Sequence, residues 1–213
     1  MELLKRKGER KEKDFYQTPP SIAKWIVERC IGLSDIGDRV RGIDKYRFIE
    51  PGCGDYFPFA IAAKGYGIGS VRGIDIRDSV MHGENIFIHS NTDFLTHDFY
   101  DEKFNIIATN PPFSQLISFW RKGIDILTSN GVFALLGKLS MVATKNRSKI
   151  WDYRPPAKVT ILYPRPSFTG DGKTDIAQEY CVAFWYGEEM EERRITSNIP
   201  TILDWLNWKS LDA

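Results

Sequence analysis

The chain has 213 residues, a formal net charge of +1 and 42% hydrophobic residues, which is enough apolar material for one domain with a sizeable core. The near-neutral charge excludes a protein that binds nucleic acid through a uniformly basic surface. No segment approaches the roughly 18 apolar residues of a membrane span, and the three cysteines fit neither a disulfide framework nor a zinc site. We therefore expect a reduced, cytoplasmic setting, with no membrane and no metal.

The charge is uneven along the chain. Residues 1–13 carry a net charge of +3, and the remaining residues carry −2. Such a segment is either a disordered, solvated end or an arm that binds phosphates. We therefore treat residues 1–13 as a basic N-terminal arm and predict a single domain over residues 14–213.

The predicted elements alternate between helix and strand. In chain order they are a helix over 19–30, a strand over 46–50, a helix over 57–64, strands over 71–76, 86–89 and 104–108, a helix over 115–127, a strand over 132–139, a helix over 141–151, strands over 158–163 and 180–186, and a helix over 202–208. Such alternation gives a mainly parallel sheet with helices on both faces. Residues 164–177 contain prolines and glycines but no helical pattern, so the strands that flank them should form an antiparallel hairpin.

Two turns that follow strands have the composition of a nucleotide site. Gly52 and Gly54 come directly after the first predicted strand, and glycine lets the backbone approach a ligand closely. Asp75 lies at the end of the next strand, where a carboxylate can accept hydrogen bonds from both hydroxyls of a ribose. Taken singly, each feature also fits a plain turn, a helix cap or a surface charge.

The four residues Asn110-Pro111-Pro112-Phe113 leave the strand over 104–108. The side-chain oxygen of Asn110 and the carbonyl of Pro111 can together accept both hydrogens of one planar amino group, and Phe113 can stack on the ring that carries it. Proline fixes its own φ and restricts the residue before it, so the turn is set before a substrate arrives. The same residues also occur as an ordinary loop start.

The ordered set of these motifs resembles the class I S-adenosylmethionine-dependent methyltransferases and, more narrowly, the gamma-type DNA amino-methyltransferases. The resemblance is carried by Glu50, Gly52, Gly54, Asp75, Asp93-Phe94, Asn110-Pro111-Pro112-Phe113 and the N-terminal segment Asp14-Phe15-Tyr16-Gln17-Thr18-Pro19-Pro20. It covers residues 14 to about 187. It implies an α/β, Rossmann-like fold with a seven-stranded, mainly parallel sheet, an antiparallel last strand and helices on both faces.

The resemblance also implies S-adenosyl-L-methionine as the cofactor and a set of site residues. The implied cofactor-binding residues are Tyr16, Thr18, Glu50, Gly52, Gly54, Asp75, Ile76, Asp93 and Phe94. Thr18 and Glu50 would help to hold the methionine end. Asp75 would bind the ribose, with Ile76 against the adenine and Asp93 accepting from its amine. Asn110, Pro111 and Phe113 would be catalytic.

For the substrate, the resemblance implies duplex DNA whose target adenine is flipped out and methylated directly on N6. Cytosine N4 stays open as the target, and so do the RNA adenine and protein glutamine N-methyltransferases that use the same turn. A non-enzymatic subunit that only docks nucleic acid is disfavoured because every catalytic position is filled. A nicotinamide dehydrogenase is disfavoured because it would have no use for the Asn-Pro-Pro-Phe turn. We expect no separate target-recognition domain, so either the target site is short or relaxed, or a second subunit or a homodimer supplies recognition.

Phe168 lies in the glycine-bounded loop between the last two predicted strands of the sheet, where related enzymes carry an aromatic that stacks on the extruded base. Phe113 and Phe168 are therefore the candidates to sandwich the base, although Phe168 also fits a packing role in its loop. A basic rim for flanking phosphates is predicted from Lys138, Lys145, Arg147, Lys149, Arg165 and Lys173. Each member of this rim equally fits a solvated surface charge.

Overall fold

A computed structural model describes residues 17–34, 42–78, 86–144, 151–166, 168 and 178–211. Its strands are β1 (Arg47–Pro51), β2 (Ser70–Ile74), β3 (Phe87–His89), β4 (Phe104–Thr109), β5 (Leu127–Lys138), β6 (Lys158–Tyr163), β7 (Tyr180–Tyr186) and β8 (Ile202–Asn207). Its helices are α1 (Pro20–Ser34), α2 (Pro58–Gly65), α3 (Leu116–Asp125), α4 (Ser140–Ala143) and α5 (Glu188–Thr196), with short 3-10 turns at Ile43–Lys45 and Trp208–Leu211.

Within these residues the strands form one sheet in the order β3-β2-β1-β4-β5-β7-β6-β8. The neighbours from β3 to β5 are parallel, whereas β7 lies antiparallel between β5 and β6. The predicted α/β class, with a mainly parallel sheet and an antiparallel strand inserted late in the chain, is therefore confirmed. We call the side where β1, β2, β4, β5 and β6 end the carboxyl edge, and residues that leave these strands meet there.

The sheet has eight strands where seven were predicted, because the segment expected to form a helix over 202–208 is a strand. β8 pairs in parallel with β6 along its whole length, from Lys158 opposite Ile202 to Tyr163 opposite Asn207. The helix prediction was wrong because the apolar spacing in a short segment fits both periods, and the open edge of β6 supplies backbone partners that a helix would not use. β8 forms the edge of the described sheet and exposes Leu203 and Trp205.

Helices cover both faces of the sheet. On one face, α1 and α2 bury side chains such as Ile22, Ile26 and Phe59 against the sheet. On the other face, α3 contributes Phe119 and Trp120 to a second apolar cluster. This arrangement follows from strands that bury nearly every residue, since such strands are apolar on both faces and need cover on each.

Element bounds differ from the prediction mainly after α3. The helix predicted over 115–127 ends at Asp125, and β5 begins at Leu127 rather than at 132. The pairing of β4 with β5 shifts register between Phe104 and Ile106, which accommodates the early start of β5 as a bulge. The single helix predicted over 141–151 was wrong, because α4 ends at Ala143 and Thr144 has extended backbone; residues 145–150 lie outside the described part of the chain.

Candidate functional site

The turn between β1 and α2 has the backbone that its glycines predict. Gly52 and Gly54 both have φ of +65°, a conformation that L side chains rarely adopt. The backbone N–H groups of Gly52 and Cys53 donate to the carbonyl of Ile74 at the end of β2, at 2.8 and 3.3 Å. The Gly54 N–H donates to a carboxylate oxygen of Asp75 at 2.8 Å. The glycine turn is therefore fastened to the end of β2.

Glu50 is buried in β1 and faces the start of α2. One of its carboxylate oxygens accepts the N–H of Ala60 at 2.7 Å, in the first turn of the helix, where N–H groups have no intrahelical partner. Burial raises the pKa of Glu50 well above its usual value, against the hydrogen bonds from the backbone of Ala60 and Phe59, and the charge of Asp75 raises it further. The described contact of Glu50 thus caps α2, and its predicted contact with the methionine end of a cofactor stays a prediction.

Substitution of Glu50 tests this capping contact. Glu50→Ala should lower the free energy of unfolding by about 1 to 3 kcal/mol because a buried donor at the start of α2 loses its acceptor. Glu50→Gln keeps an acceptor oxygen and should cost less. Since the folded pKa lies above the unfolded one, the stability contributed by this site should fall as the pH rises from the usual glutamate value toward the raised pKa. Urea denaturation across this pH range checks the trend, which Glu50→Gln should remove; a trend unchanged in that variant would contradict the assignment.

Asp75 follows the last residue of β2 and is almost fully buried. One of its oxygens accepts from the backbone N–H and the Nε of Arg77, both at 2.9 Å. The other oxygen accepts from Gly54 and from Nη2 of Arg77 at 3.2 Å. Burial raises the pKa of the Asp75 carboxyl, but the hydrogen bonds from Arg77 and Gly54 outweigh it, so the pKa lies below its usual value. The carboxylate is therefore charged, and its roughly four acceptor positions already carry four donors.

The residues predicted to surround an adenine lie near Asp75. Ile76 is 67% exposed, and its predicted contact with an adenine stays a prediction. The backbone N–H of Thr92 donates to the carbonyl of Asp75 at 2.9 Å, which brings the adjacent Asp93 to the same edge. Asp93 is exposed and accepts the backbone N–H of Leu95. The side chain of Phe94 is buried in the core, so any contact it makes with a ligand would come from its backbone.

Asn110 follows β4 and is held from two sides. Thr109, directly before it, donates its hydroxyl hydrogen to the carbonyl of Pro51 at 2.7 Å, so the ends of β4 and β1 are joined. The side-chain Nδ2 of Asn110 donates to the hydroxyl of Thr18 at 3.2 Å. Thr18 is only 3% exposed and lies just before α1. The structure thus brings the N-terminal segment and the Asn-Pro-Pro-Phe turn together.

Phe113 is half-buried, and charged and aromatic groups lie around its ring. The Nζ of Lys138, at the end of β5, lies 4.3 Å from the ring centroid, and the ring of Tyr180 lies 6.4 Å from it. Phe168 is 2% exposed, and its ring centroid lies 4.5 Å from that of Tyr180. Phe168 therefore presents no open face in this structure. A stacking role for it requires this contact to open and stays a prediction.

Several predicted site residues lie outside the described part of the chain. They are Tyr16, the arm over residues 1–13, and the rim residues Lys145, Arg147, Lys149 and Lys173. Arg165 is described, and its guanidinium pairs with Glu179 at 2.8 Å on the surface. A role for Arg165 on phosphate would compete with this ion pair, which is exposed and contributes little stability.

The described residues contain no group of three or more potential metal ligands, and none of the described helices is long and apolar enough to cross a membrane. The three cysteines are free and buried. Burial raises the pKa of each thiol, for Cys181 to about 12. A thiol in this state is a poor nucleophile.

Comparison with solved structures relates this strand order to proteins of known fold. A protein from Listeria monocytogenes assigned to the class I S-adenosylmethionine-dependent methyltransferases superposes with a TM-score of 0.65 at 12% identity, over 92% of this chain and 68% of that one. The chain has the class I methyltransferase fold. No family model and no curated protein matches the sequence, so the structural likeness stands alone.

Two further neighbours differ in what they modify. The M protein of the type I restriction enzyme EcoKI matches with a TM-score of 0.55 at 18% identity, and the chain spans 81% of its own length but only 44% of that protein. The plantazolicin methyltransferase, solved with S-adenosylhomocysteine, matches with a TM-score of 0.52 at 12% identity over 80% and 86% of the two chains. The class I methyltransferase fold therefore serves more than one kind of substrate, and the substrate has to be argued from the site.

Two residues of this site carry contacts that the sequence did not predict. The side chain of Arg77 donates hydrogen bonds to both carboxylate oxygens of Asp75. In the sequence, this contact was indicated only by a cation that follows a strand-end carboxylate by two residues. Thr18 contacts Asn110, 92 residues further along the chain, and was expected only at the methionine end of a cofactor. Both contacts depend on which elements the fold places side by side.

Proposed function

We propose that this chain is an S-adenosylmethionine-dependent methyltransferase that methylates the exocyclic N6 amine of adenine in DNA, by direct transfer to a flipped base. The observation that carries the proposal is the meeting of three features at the carboxyl edge. These are the glycine turn fastened to Asp75, the Asn-Pro-Pro-Phe turn that leaves β4, and Thr18, which joins the second turn to the N-terminal segment.

The residues present fit a nucleoside-bearing cofactor. Gly52 and Gly54 carry no side chain in the left-handed turn, so a ligand can approach the backbone there. Asp75 provides a charged carboxylate for ribose hydroxyls, once the Arg77 side chain releases the carboxylate oxygens to which it donates. Ile76 offers an exposed apolar side chain for one face of an adenine. When bound, S-adenosylmethionine supplies an electrophilic methyl group.

The Asn-Pro-Pro-Phe turn provides the groups that act on the target. An aromatic amine is a poor nucleophile because its lone pair is delocalised into the ring. Hydrogen bonds from the amine to the Asn110 side-chain oxygen and the Pro111 carbonyl would draw the nitrogen toward tetrahedral geometry and localise that pair. The three cysteines are buried and burial raises the pKa of each thiol, which agrees with a direct transfer that uses no cysteine nucleophile.

The surroundings of Phe113 favour a nucleotide over a glutamine side chain. A glutamine amide has no ring to stack on an aromatic face, whereas a flipped base would gain about 1 to 3 kcal/mol from such stacking. Lys138, whose ammonium lies over Phe113, could then pair with a phosphate of the same strand. The EcoKI neighbour, as part of a restriction enzyme, supports DNA as the nucleic acid.

Incubation of the purified chain with labelled S-adenosylmethionine and separate samples of DNA, RNA and protein tests the proposal. Mass spectrometry of the digested products should find the label in N6-methyladenine from DNA. Label in cytosine, in RNA or in glutamine would identify a different amine substrate for the same turn. No label in any sample, from a chain that binds S-adenosylhomocysteine, would contradict methyl transfer by this chain alone.

The described members of the predicted basic rim indicate how much of a DNA sequence the chain can read. Base-edge reading needs side chains in a groove, each good bidentate contact giving about 1 to 3 kcal/mol of discrimination. Of the predicted basic rim, the described members are Lys138, which lies over Phe113, and Arg165, which pairs with Glu179. We therefore expect methylation at a site of very few base pairs, or at many adenines with weak context. Sequencing that reports modified bases on a treated plasmid checks this, and modification confined to one long motif would contradict it.

A further inference from the structure

Thr18 and Asn110 are 92 residues apart in sequence, and the hydrogen bond between them is the described link from the N-terminal segment to the Asn-Pro-Pro-Phe turn. Thr18 is 3% exposed, so its hydroxyl is shielded from competing water. It lies two residues before the start of α1, which is packed against α2 and the sheet. The hydroxyl therefore lies close to the start of a helix that is packed against the core.

Thr18 supplies an acceptor for Nδ2 of Asn110, whose own covalent structure does not fix the orientation of its amide. The backbone is set by Pro111, which restricts the residue before it, and by Thr109, whose hydroxyl ties β4 to Pro51. The terminal torsion of an asparagine side chain is broad and roughly two-fold, so oxygen and nitrogen can exchange places at little cost. An acceptor for Nδ2 on one side turns Oδ1 toward the other side.

We propose that Thr18 is a positioning residue that fixes the side-chain amide of Asn110 with its oxygen toward the target amine. The inference rests on the proposed function, since it concerns the same turn. It assigns Thr18 a role distinct from a contact with the methionine end of a cofactor. Thr18→Val removes both the oxygen that accepts from Asn110 and the hydrogen that could donate to a cofactor. The two roles are therefore told apart by kcat at saturating cofactor, which reports on Asn110, and by the affinity for S-adenosylhomocysteine, which reports on the cofactor.

Thr18→Val, which keeps the shape but removes the hydroxyl, should lower kcat at saturating cofactor by about tenfold, the effect of one lost hydrogen bond near 1.4 kcal/mol. The KM for DNA should change little, because Asn110 acts on the amine and not on the rest of the duplex. Thr18→Ser, which keeps the oxygen, should recover part of the rate. Calorimetric titration with S-adenosylhomocysteine should give Thr18→Val an affinity within about twofold of that of the unmodified chain.

A second readout does not need activity. In protein labelled with nitrogen-15 at asparagine, the side-chain NH2 signals of Asn110, assigned by their loss in Asn110→Ala, should shift in Thr18→Val and return toward their original position in Thr18→Ser. Failure of the proposed function would appear as an unmodified chain that transfers no methyl group while this shift is intact. Thr18→Ala serves as a second variant should the valine protein not fold.

Two results would overturn the inference. One is a Thr18→Val protein whose kcat at saturating cofactor and whose Asn110 amide signals both match those of the unmodified chain. The other is a rate loss that saturating cofactor removes, together with weakened S-adenosylhomocysteine binding, which would assign the hydroxyl to the cofactor alone. If the first result came with a lowered melting temperature, the hydrogen bond from Asn110 to Thr18 would contribute to stability only.

Discussion

Asn110→Ala is expected to lower the methyl-transfer rate by about 10²- to 10³-fold, the usual cost of removing one preorganised hydrogen-bonding group from a reaction centre. The affinity for S-adenosylhomocysteine should stay within about twofold, because Asn110 is proposed to meet the target amine and not the ribose. Single-turnover rates with labelled cofactor and calorimetric titration measure the two quantities on the same protein.

Asn105 provides a matched control on the same strand. Its side-chain oxygen accepts the backbone N–H of Arg47 at 2.9 Å, at the amino end of β4 and far from the turn. Asn105→Ala should lose a little stability and keep the transfer rate. Equal rate losses in both variants would mean that β4 itself has been disturbed. A large loss of S-adenosylhomocysteine affinity in Asn110→Ala would mean that the turn serves the cofactor.

The parts of the fold that the sequence predicted are those whose causes are local. Glycines after β1 indicated a left-handed turn, and Gly52 and Gly54 have that conformation. The prolines at 111 and 112 indicated a fixed turn after β4. The short, helix-free segment over 164–177 indicated the antiparallel hairpin that β6 and β7 form. In each case the residue type restricts its own backbone, so no distant contact is needed to make the prediction.

β8 could not be predicted because its structure depends on a distant partner. Its six residues have no charge pattern that excludes a helix, and the strand exists because β6 offers an open edge in parallel register. Lys158 and Asp204 pair across that edge at 2.5 Å, which adds a specific link between the two strands. A short edge strand is stabilised by its neighbour more than by its own propensity.

In the candidate site, too, local features could be predicted and contacts with distant residues could not. The identities of Asp75 and Asn110 followed from their place at strand ends, but their partners did not. Arg77 reaches Asp75 because the chain turns sharply after β2, and Phe168 is buried because Tyr180 of β7 lies beneath it. Side-chain partners of this kind depend on three-dimensional neighbours, which residue order alone does not specify.

Asp75→Ala is expected to weaken the binding of S-adenosylhomocysteine by about a hundredfold or more. Two hydrogen bonds to a charged group are each worth roughly 1.5 to 3 kcal/mol, and part of that is spent on displacing Arg77. The low pKa of Asp75 keeps the carboxylate charged, so the loss should be similar throughout the neutral pH range. Saturating cofactor should restore much of the transfer rate, because Asp75 does not touch the target amine. Calorimetry and steady-state kinetics measure the two effects.

Asp75 also holds the N–H of Gly54, so its removal can act through the glycine turn instead of the ribose. Asp75→Asn separates the two effects, because it keeps an acceptor for Gly54 and removes the charge. Arg77→Ala is the matched variant on the other side, since it removes the two side-chain donors, Nε and Nη2, from Asp75 and leaves the Gly54 contact in place. Its backbone N–H remains, so two acceptor positions become open, one for each ribose hydroxyl. Arg77→Ala should therefore bind S-adenosylhomocysteine at least as tightly as the unmodified chain. Normal binding by Asp75→Ala, or weakened binding by Arg77→Ala as severe as that of Asp75→Ala, would show that the pair is a structural ion pair and that the ribose is bound elsewhere.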